Sequence, residues 1–101
     1  MQILVHAKFP TAEFNNALRA GTVEQTMGRI LDETKPEAVY FTEYGGLRGA
    51  IMIFDISDQS QVPGICEPWF LAFNATVEFH IVMTPDDLRR AGLAELAKKW
   101  A

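Results

Sequence analysis

Residues 39–56 read VYFTEYGGLRGAIMIFDI and decide the fold. The first six residues are mostly β-branched or aromatic, and Gly45-Gly46 can supply the positive φ angles of a two-residue hairpin turn. Residues 47–56 then return as the partner strand. The pairs that this register predicts are Tyr44 with Leu47, Glu43 with Arg48, Thr42 with Gly49, and Tyr40 with Ile51. The charged pair, Glu43 and Arg48, is expected to form a cross-strand ion pair.

Two further strands lie outside the hairpin. Residues 2–9 alternate between two side-chain sets, and residues 75–83 do the same. Between the first strand and the hairpin, two apolar stripes at helical spacing lie on opposite sides of a straight helix, so a break is expected near Gly21. Thr11 is expected to cap the first helical part, and Thr22 to open the second with a capping box.

The segment between the hairpin and the last strand is predicted to be a short helix. Pro68 cannot donate to the carbonyl four residues earlier, so a kink or restart is expected there. Trp69 and Phe70 are expected to be core residues. After the last strand, Thr84 and Pro85 are typical of an N-cap and first helical position, and one final helix is expected to run to about Lys99.

The element order is therefore β-α-β-β-α-β with an added carboxy-terminal helix. This order is typical of an α+β, ferredoxin-like sandwich, and residues 1–101 are expected to form a single domain of this kind. Right-handed crossovers predict an antiparallel four-stranded sheet of order 4-1-3-2.

Composition excludes several classes of protein. Nine basic against thirteen acidic side chains give a formal charge of −4, the wrong sign for binding nucleic acid or an anionic membrane surface. No apolar run approaches the roughly 20 residues of a membrane span. The single cysteine, Cys66, permits no internal disulfide and is expected to be a buried, inert thiol. The first residues lack a signal-peptide pattern, so a cytoplasmic protein is expected.

Strand alternation sorts the side chains onto two faces of the sheet, which differ in polarity. The closed face, expected to pack on the helices, consists of Ile3, Val5, Val39, Phe41, Met52, Phe54, Val77, Phe79 and Ile81. The open face consists of Leu4, His6, Lys8, Tyr40, Thr42, Tyr44, Leu47, Ile51, Ile53, Glu78, His80 and Val82. The open face is too apolar to face only water and too polar for a monomer's core, so a homodimer that covers it is expected.

Three stretches also resemble a family of short uncharacterised bacterial proteins. They are KPEAVYFTE at 35–43, EPWFLAFNATVEF at 67–79 and VMTPDDL at 82–88, and the similarity covers most of the chain. These proteins are similar in fold pattern to the dimeric α+β barrel superfamily, which includes cofactor-independent monooxygenases and muconolactone isomerase-like enzymes. The resemblance implies the fold and a dimer, and it assigns no catalytic residue.

The candidate catalytic residues are His6 and His80, which are expected on adjacent strands of the open face with Glu78 beside them. Such a group can move a proton, bind an acidic ligand or contribute to a metal site. Without a sequence-close motif, it more often consists of interface residues that are hydrogen-bonded or solvated. Tyr40, Thr42 and Tyr44, with Glu78, are candidate ligand-binding residues for a flat organic molecule. Their alternative is packing at a dimer seam.

Three functions therefore remain open. The first is a homodimeric small-molecule-binding or accessory domain, and the second is a cofactor-independent isomerase or monooxygenase-like enzyme with a histidine general base. The third is a purely structural assembly with a dry seam of Leu4, Ile51 and Val82. No cofactor motif is present, because Gly45-Gly46 lacks the strand-loop-helix context of a phosphate loop, and no metal site is predicted.

Overall fold

A computed structural model describes residues 1–101. The strands are β1 (Gln2–Phe9), β2 (Ala38–Tyr44), β3 (Leu47–Asp55) and β4 (Thr76–Ile81). The helices are α1 (Thr11–Ala20), α2 (Val23–Thr34), α3 (Val62–Phe73), α4 (Pro85–Arg90) and α5 (Leu93–Trp100), with a 3-10 turn at Gln59–Gln61. None of these helices has the length and apolar composition needed to span a membrane.

The four strands form one antiparallel sheet of order β2-β3-β1-β4, which confirms the predicted α+β fold and sheet order. All four hairpin pairs predicted from the turn are present in the register. Gly45 and Gly46 have φ angles of 58° and 83°, the left-handed region that side chains with a Cβ rarely adopt. The turn therefore sets the alternation of the whole hairpin.

The helical region after β1 breaks at Gly21, as predicted, where φ is 73°. The expected cap of α1 was wrong, whereas Thr22 is the N-cap residue of α2 as expected but without the expected capping box. Pro10 occupies the N-cap position of α1, which makes Thr11 its first helical residue, and Thr22 makes no side-chain cap hydrogen bond. The Thr22 hydroxyl instead donates to the Ala17 carbonyl across the break, because the bend at Gly21 brings the two together.

Helix α3 continues through Pro68, so the expected restart was wrong. Trp69 is fully buried, whereas Phe70 is partly exposed, which corrects the expectation that both belong to the core. Pro68 is half-buried and Gly64 is exposed. Proline cannot donate a hydrogen bond to the Gly64 carbonyl, and this loss costs less here than it would on the buried side of α3. Cys66 is buried, and desolvation raises the pKa of its thiol.

The expected single final helix is two helices. Thr84 and Asp87 form a reciprocal capping box at the start of α4, with Pro85 as the first helical residue. Gly92 has a φ of 73°, which ends the first helix and lets α5 begin in a new direction.

The core lies between the sheet and α1–α3. Its fully buried side chains include Trp69, Phe9, Ile3, Met52 and Val5. Three members of the closed face, Phe41, Phe79 and Ile81, are exposed, which corrects the expectation that the helices cover them. They lie on the edge strands β2 and β4, whereas the buried members of this face cluster on the central strands β1 and β3.

Candidate functional site

The strand register places the candidate residues in rows across the open face. One row runs Tyr40, Ile51, His6, Glu78, and the next runs Thr42, Gly49, Lys8, Thr76. On the other side of the first row, Ala38, Ile53, Leu4 and His80 lie side by side. His6 is thus directly opposite Glu78, and His80 is one row away.

Lys8 and Glu78 form the closest charged contact of this face. The Lys8 Nζ donates to Glu78 Oε1 at 2.7 Å, and only 12% of the Lys8 side chain is exposed. The same ammonium lies over the Tyr44 ring, 4.1 Å from its centroid. A half-buried ammonium is therefore held by a carboxylate on one side and an aromatic face on the other.

This contact shifts the acid–base behaviour of the carboxylate. The hydrogen bond and positive charge of Lys8 hold the pKa of Glu78 below its usual range, and His80 and His6 contribute in the same direction. Glu78 is therefore an ionised hydrogen-bond acceptor at neutral pH.

Gly49 creates the space in which this cluster forms. A Cβ at this position would lie 3.0 Å from the Ala7 carbonyl oxygen and 3.3 Å from His6 Nε2. With no side chain there, the Tyr44 ring on β2 reaches across β3 and meets the His6 ring edge-on, at 5.2 Å between centroids. A glycine inside a strand is typical of such a close approach.

The two histidines occupy different environments. His6 Nε2 is buried and has no hydrogen-bond partner within the chain. His80 is 63% exposed, and its Nε2 lies 3.9 Å from Glu78 Oε2. The accessible imidazole beside a carboxylate is therefore His80.

The structure brings only part of the predicted site together. His6, Tyr44 and Glu78 lie around Lys8, and His80 lies beside Glu78 on the side away from Lys8. Tyr40 and Thr42 are exposed side chains of the edge strand β2. The histidines and carboxylates do not converge in any group able to hold a metal ion. The cluster can donate through an ammonium and an imidazole, accept through a carboxylate, and stack through Tyr44.

The predicted ion pair between Glu43 and Arg48 was wrong, although the two residues do pair in the register. The Glu43 carboxylate accepts a hydrogen bond from the Gly46 amide at 3.0 Å and so caps the turn. The Arg48 guanidinium donates to Asn15 Oδ1 at 2.8 Å and lies over the Phe14 ring. Helix α1 thus offers Arg48 a hydrogen bond and an aromatic surface that the hairpin alone lacks.

Two cavities open on the chain, and neither is lined by His6, Lys8, Tyr44, Glu78 or His80. One of about 540 Å³ lies between α2 and α3, lined by residues that include Ile30, Pro68 and Leu71. The other, of about 320 Å³, lies where α1 and α2 meet β2 and β3, and its lining includes Phe14 and Met27 together with Thr42 and Gly49.

Sequence reasoning assigned no role to Lys8 or Gly49. Lys8 is on the predicted open face, but its partner Glu78 is known only once the register between β1 and β4 is fixed. Gly49 carried a usable signal, since a glycine within a strand weakens the strand unless a neighbour needs the space.

Fold and site together define an α+β, ferredoxin-like domain with helices on one side of its sheet and a polar cluster on the other. Neither a protein-family model nor a curated protein matches the sequence, so the resemblance of the three stretches to a family stays a prediction.

Among solved structures, the chain is similar to 5-chloro-2-hydroxyhydroquinone dehydrochlorinase (TftG) from Burkholderia phenoliruptrix AC1100, in complex with 2,5-dihydroxybenzoquinone. The TM-score is 0.63 at 15% identity, over 85% of this chain and 97% of that one. A de novo designed protein, Ferredog-Diesel, has a TM-score of 0.49 at 12% identity, over 80% of this chain and 85% of that one. The likeness to TftG supports the fold pattern expected from the sequence.

Proposed function

We propose that this chain is a homodimeric domain that binds a small, flat, hydroxylated organic molecule over the open face. The observation that carries the proposal is the Lys8–Glu78 pair, held beside an aromatic ring on a sheet face with no helix over it. Ligand sites combine apolar walls with a few convergent polar groups, and this cluster supplies such groups.

The dimer is supported by the apolar residues that surround the cluster. Leu4, Ile51 and Ile53 are half-buried on the open face, next to the polar side chains. A four-stranded sheet with helices on one side can stack this face on a second copy around a two-fold axis. Two stacked sheets enclose the polar residues between them and limit their contact with water.

The donor and acceptor pattern suits hydroxyl and carbonyl groups on an aromatic or quinone ring. Glu78 accepts, Lys8 and a ring N–H of His80 donate, and Tyr44 and Tyr40 offer ring faces. TftG was solved with 2,5-dihydroxybenzoquinone, a molecule of this class. That compound is therefore a suitable first probe.

Calorimetric titration of the full chain with 2,5-dihydroxybenzoquinone tests the ligand. Glu78→Gln removes the acceptor charge and is expected to weaken binding at least about tenfold, since hydrogen bonds to charged groups contribute about 1.5–3 kcal/mol. Glu33→Gln is the matched control, because Glu33 forms an exposed ion pair with Arg29 on α2. Absence of binding at millimolar probe, or equal loss in both variants, would overturn the ligand assignment.

Sedimentation analysis tests the dimer. Ile51→Gln places an amide in the centre of the open face and is expected to shift the protein toward monomer. Leu18→Gln is the control, because Leu18 is exposed on α1 and lies outside that face. A protein that stays monomeric in every form contradicts the proposed dimer.

A second candidate is an enzyme of the isomerase or monooxygenase type that uses a histidine as general base. The position of His80, accessible and 3.9 Å from Glu78, favours it, because a neighbouring carboxylate can orient an imidazole that takes a proton from a substrate. Chloride release from 5-chloro-2-hydroxyhydroquinone, a loss of HCl that also requires a base, probes the histidine rather than the reaction type. Turnover that falls at least about a hundredfold in His80→Gln supports this reading, and turnover equal to that of His6→Gln removes His80 as the base.

A further inference from the structure

The C-terminal arm, residues 84–101, does not pack on the rest of its own chain. All hydrogen bonds and ion pairs of α4 and α5 remain within the arm, and none of its residues is buried. The molecule measures 59 × 28 × 19 Å, with a radius of gyration of 17.0 Å. A compact domain of this size has a radius of gyration of about 13 Å, so the arm extends away from the body, residues 1–83.

One side of the arm is apolar and uncovered. Leu93, Leu96 and Trp100 follow one side of α5, and Trp100 is 77% exposed. Helices of fewer than about 12 residues are marginal in water by themselves, and α4 and α5 have six and eight. Their stability therefore requires a surface that covers the apolar side.

The body has an uncovered apolar strip of its own at the root of this arm. Phe79 and Ile81 pair with the buried residues Val5 and Ile3, yet Ile81 is 70% exposed because no helix reaches that end of β4. Met83, which precedes Thr84 at the start of the arm, is also exposed. Within one extended chain, the arm and this β4 strip (Phe79, Ile81 and Met83) do not cover each other.

The charges of the two parts are complementary. The arm carries four basic and three acidic side chains, whereas the body carries five basic and ten acidic ones. An acidic body attracts a basic arm from another copy and repels an anionic membrane or a nucleic acid. A second copy is therefore the partner that the charges favour.

We propose that two copies exchange their C-terminal arms, so that the apolar side of α5 from one chain lies on the β4 strip of the other. The exchange is symmetric, so each contact occurs twice and neither strip remains uncovered. A stable pair buries about 800 Å² on each partner, and large aromatic side chains bring about 150–250 Å² each. The repeated contacts of Trp100, Leu93 and Leu96 with Phe79 and Ile81 are on that scale.

Sedimentation velocity over a range of concentrations tests the exchange on the full chain. Leu93→Gln with Leu96→Gln removes the apolar side of α5 and is expected to raise the dimer dissociation constant at least about a hundredfold. Glu95→Gln with Lys98→Gln is the control, because it places two glutamines on the opposite side of the same helix and leaves the net charge unchanged. Circular dichroism checks that the body stays folded in both proteins.

A double-mutant cycle tests where the arm lies. Ile81→Gln is expected to weaken the dimer by itself, and its effect should shrink in the Leu93→Gln, Leu96→Gln background if these residues meet. Fully additive effects would overturn the assigned contact.

Both this proposal and the proposed function require a homodimer, but they can fail separately. A dimer that Ile51→Gln weakens and the arm variant leaves intact overturns the exchange alone. A monomer whose arm amides are protected from hydrogen exchange shows an arm folded on its own chain and overturns it. A monomer that floats with anionic phosphatidylserine vesicles assigns the arm to a membrane and overturns it too.

Discussion

The two faces of the sheet contrast most clearly along β1, where neighbouring residues belong to opposite faces. Val5 and Ala7 are fully buried under the helices, whereas His6 and Lys8 are half-buried and carry polar groups. On the central strands β1 and β3 the closed face is covered by helices of the same chain, so its stability there depends on apolar packing. The open face is incomplete, so its polar groups depend on the register, on Gly49 and on whatever covers them. The largest effects of substitution are therefore expected on the closed face.

Trp69→Ala is expected to produce the largest loss of stability. Trp69 is 0% exposed and packs on Phe9 and Phe73, so removal of the indole leaves a cavity that costs about 3–5 kcal/mol. Leu71→Ala on the same helix is the control, because Leu71 is exposed and its truncation is expected to cost less than about 0.5 kcal/mol. Urea unfolding measures both, and comparable losses would contradict the assignment of the core to the closed face.

Gly49→Ala is expected to have the next largest effect and to connect the two faces. Its Cβ would press on the Ala7 carbonyl and on His6 Nε2, and overpacking of this kind costs about 1–3 kcal/mol. Gly28→Ala is the control, since nothing lies within 4 Å of a Cβ there, and alanine should stabilise α2 by up to about 1 kcal/mol. The unfolding free energy is expected to fall in Gly49→Ala and to rise in Gly28→Ala. The His6 ring resonances are expected to shift in Gly49→Ala only. Unchanged His6 resonances would show that Gly49 does not position the ring.

Lys8→Met is expected to act mainly on the ionisation of the open face. Loss of the ammonium removes the hydrogen bond and charge that lower the pKa of Glu78, so that pKa should rise toward its ordinary value. The measurement is a carbon-detected NMR titration of the Glu78 carboxyl group. Lys35→Met serves as the control, because Lys35 is exposed at the end of α2, and it should leave the pKa of Glu78 unchanged. Identical titration curves in the two variants would argue against the Lys8 contact.

The smallest expected effect is a pH-dependent contribution of Glu78 to stability. Its folded-state pKa is lowered, so the contribution is fully present above the unfolded-state pKa of about 4.3 and is lost as the pH falls through the folded-state value. The stability difference between the native protein and Glu78→Gln should therefore be measurable at neutral pH and vanish in acid. Urea unfolding at several pH values would contradict this if the difference grew on acidification.

The hairpin and the division of the strands into two faces could be predicted because they depend on local signals, and the sheet order followed from the element order and the right-handedness of crossovers. Two glycines fix the turn, and a period of two then assigns every side chain of β2 and β3 to a face. The break at Gly21 followed from the same kind of evidence.

The failures have a common physical origin in contacts between distant parts of the chain. Arg48 interacts with Asn15 and Phe14 on α1 rather than with Glu43, and no hairpin pattern contains that information. Tyr44 meets His6 only because Gly49 leaves room between them. Gly92 lies inside the predicted final helix, and a single glycine is tolerated within a helix. The sequence alone therefore does not show that the chain changes direction there.

The two tryptophans lie in different environments, so their fluorescence can report on two regions of the molecule separately. Trp69 lies in the sealed interior and Trp100 near the end of the extended arm. An indole shielded from water emits at shorter wavelengths than a hydrated one, so the intrinsic fluorescence contains one signal from each region. Exchanging either tryptophan for phenylalanine would isolate the other signal, and a soluble quencher such as iodide would then report, without an attached dye, when the end of the chain becomes shielded.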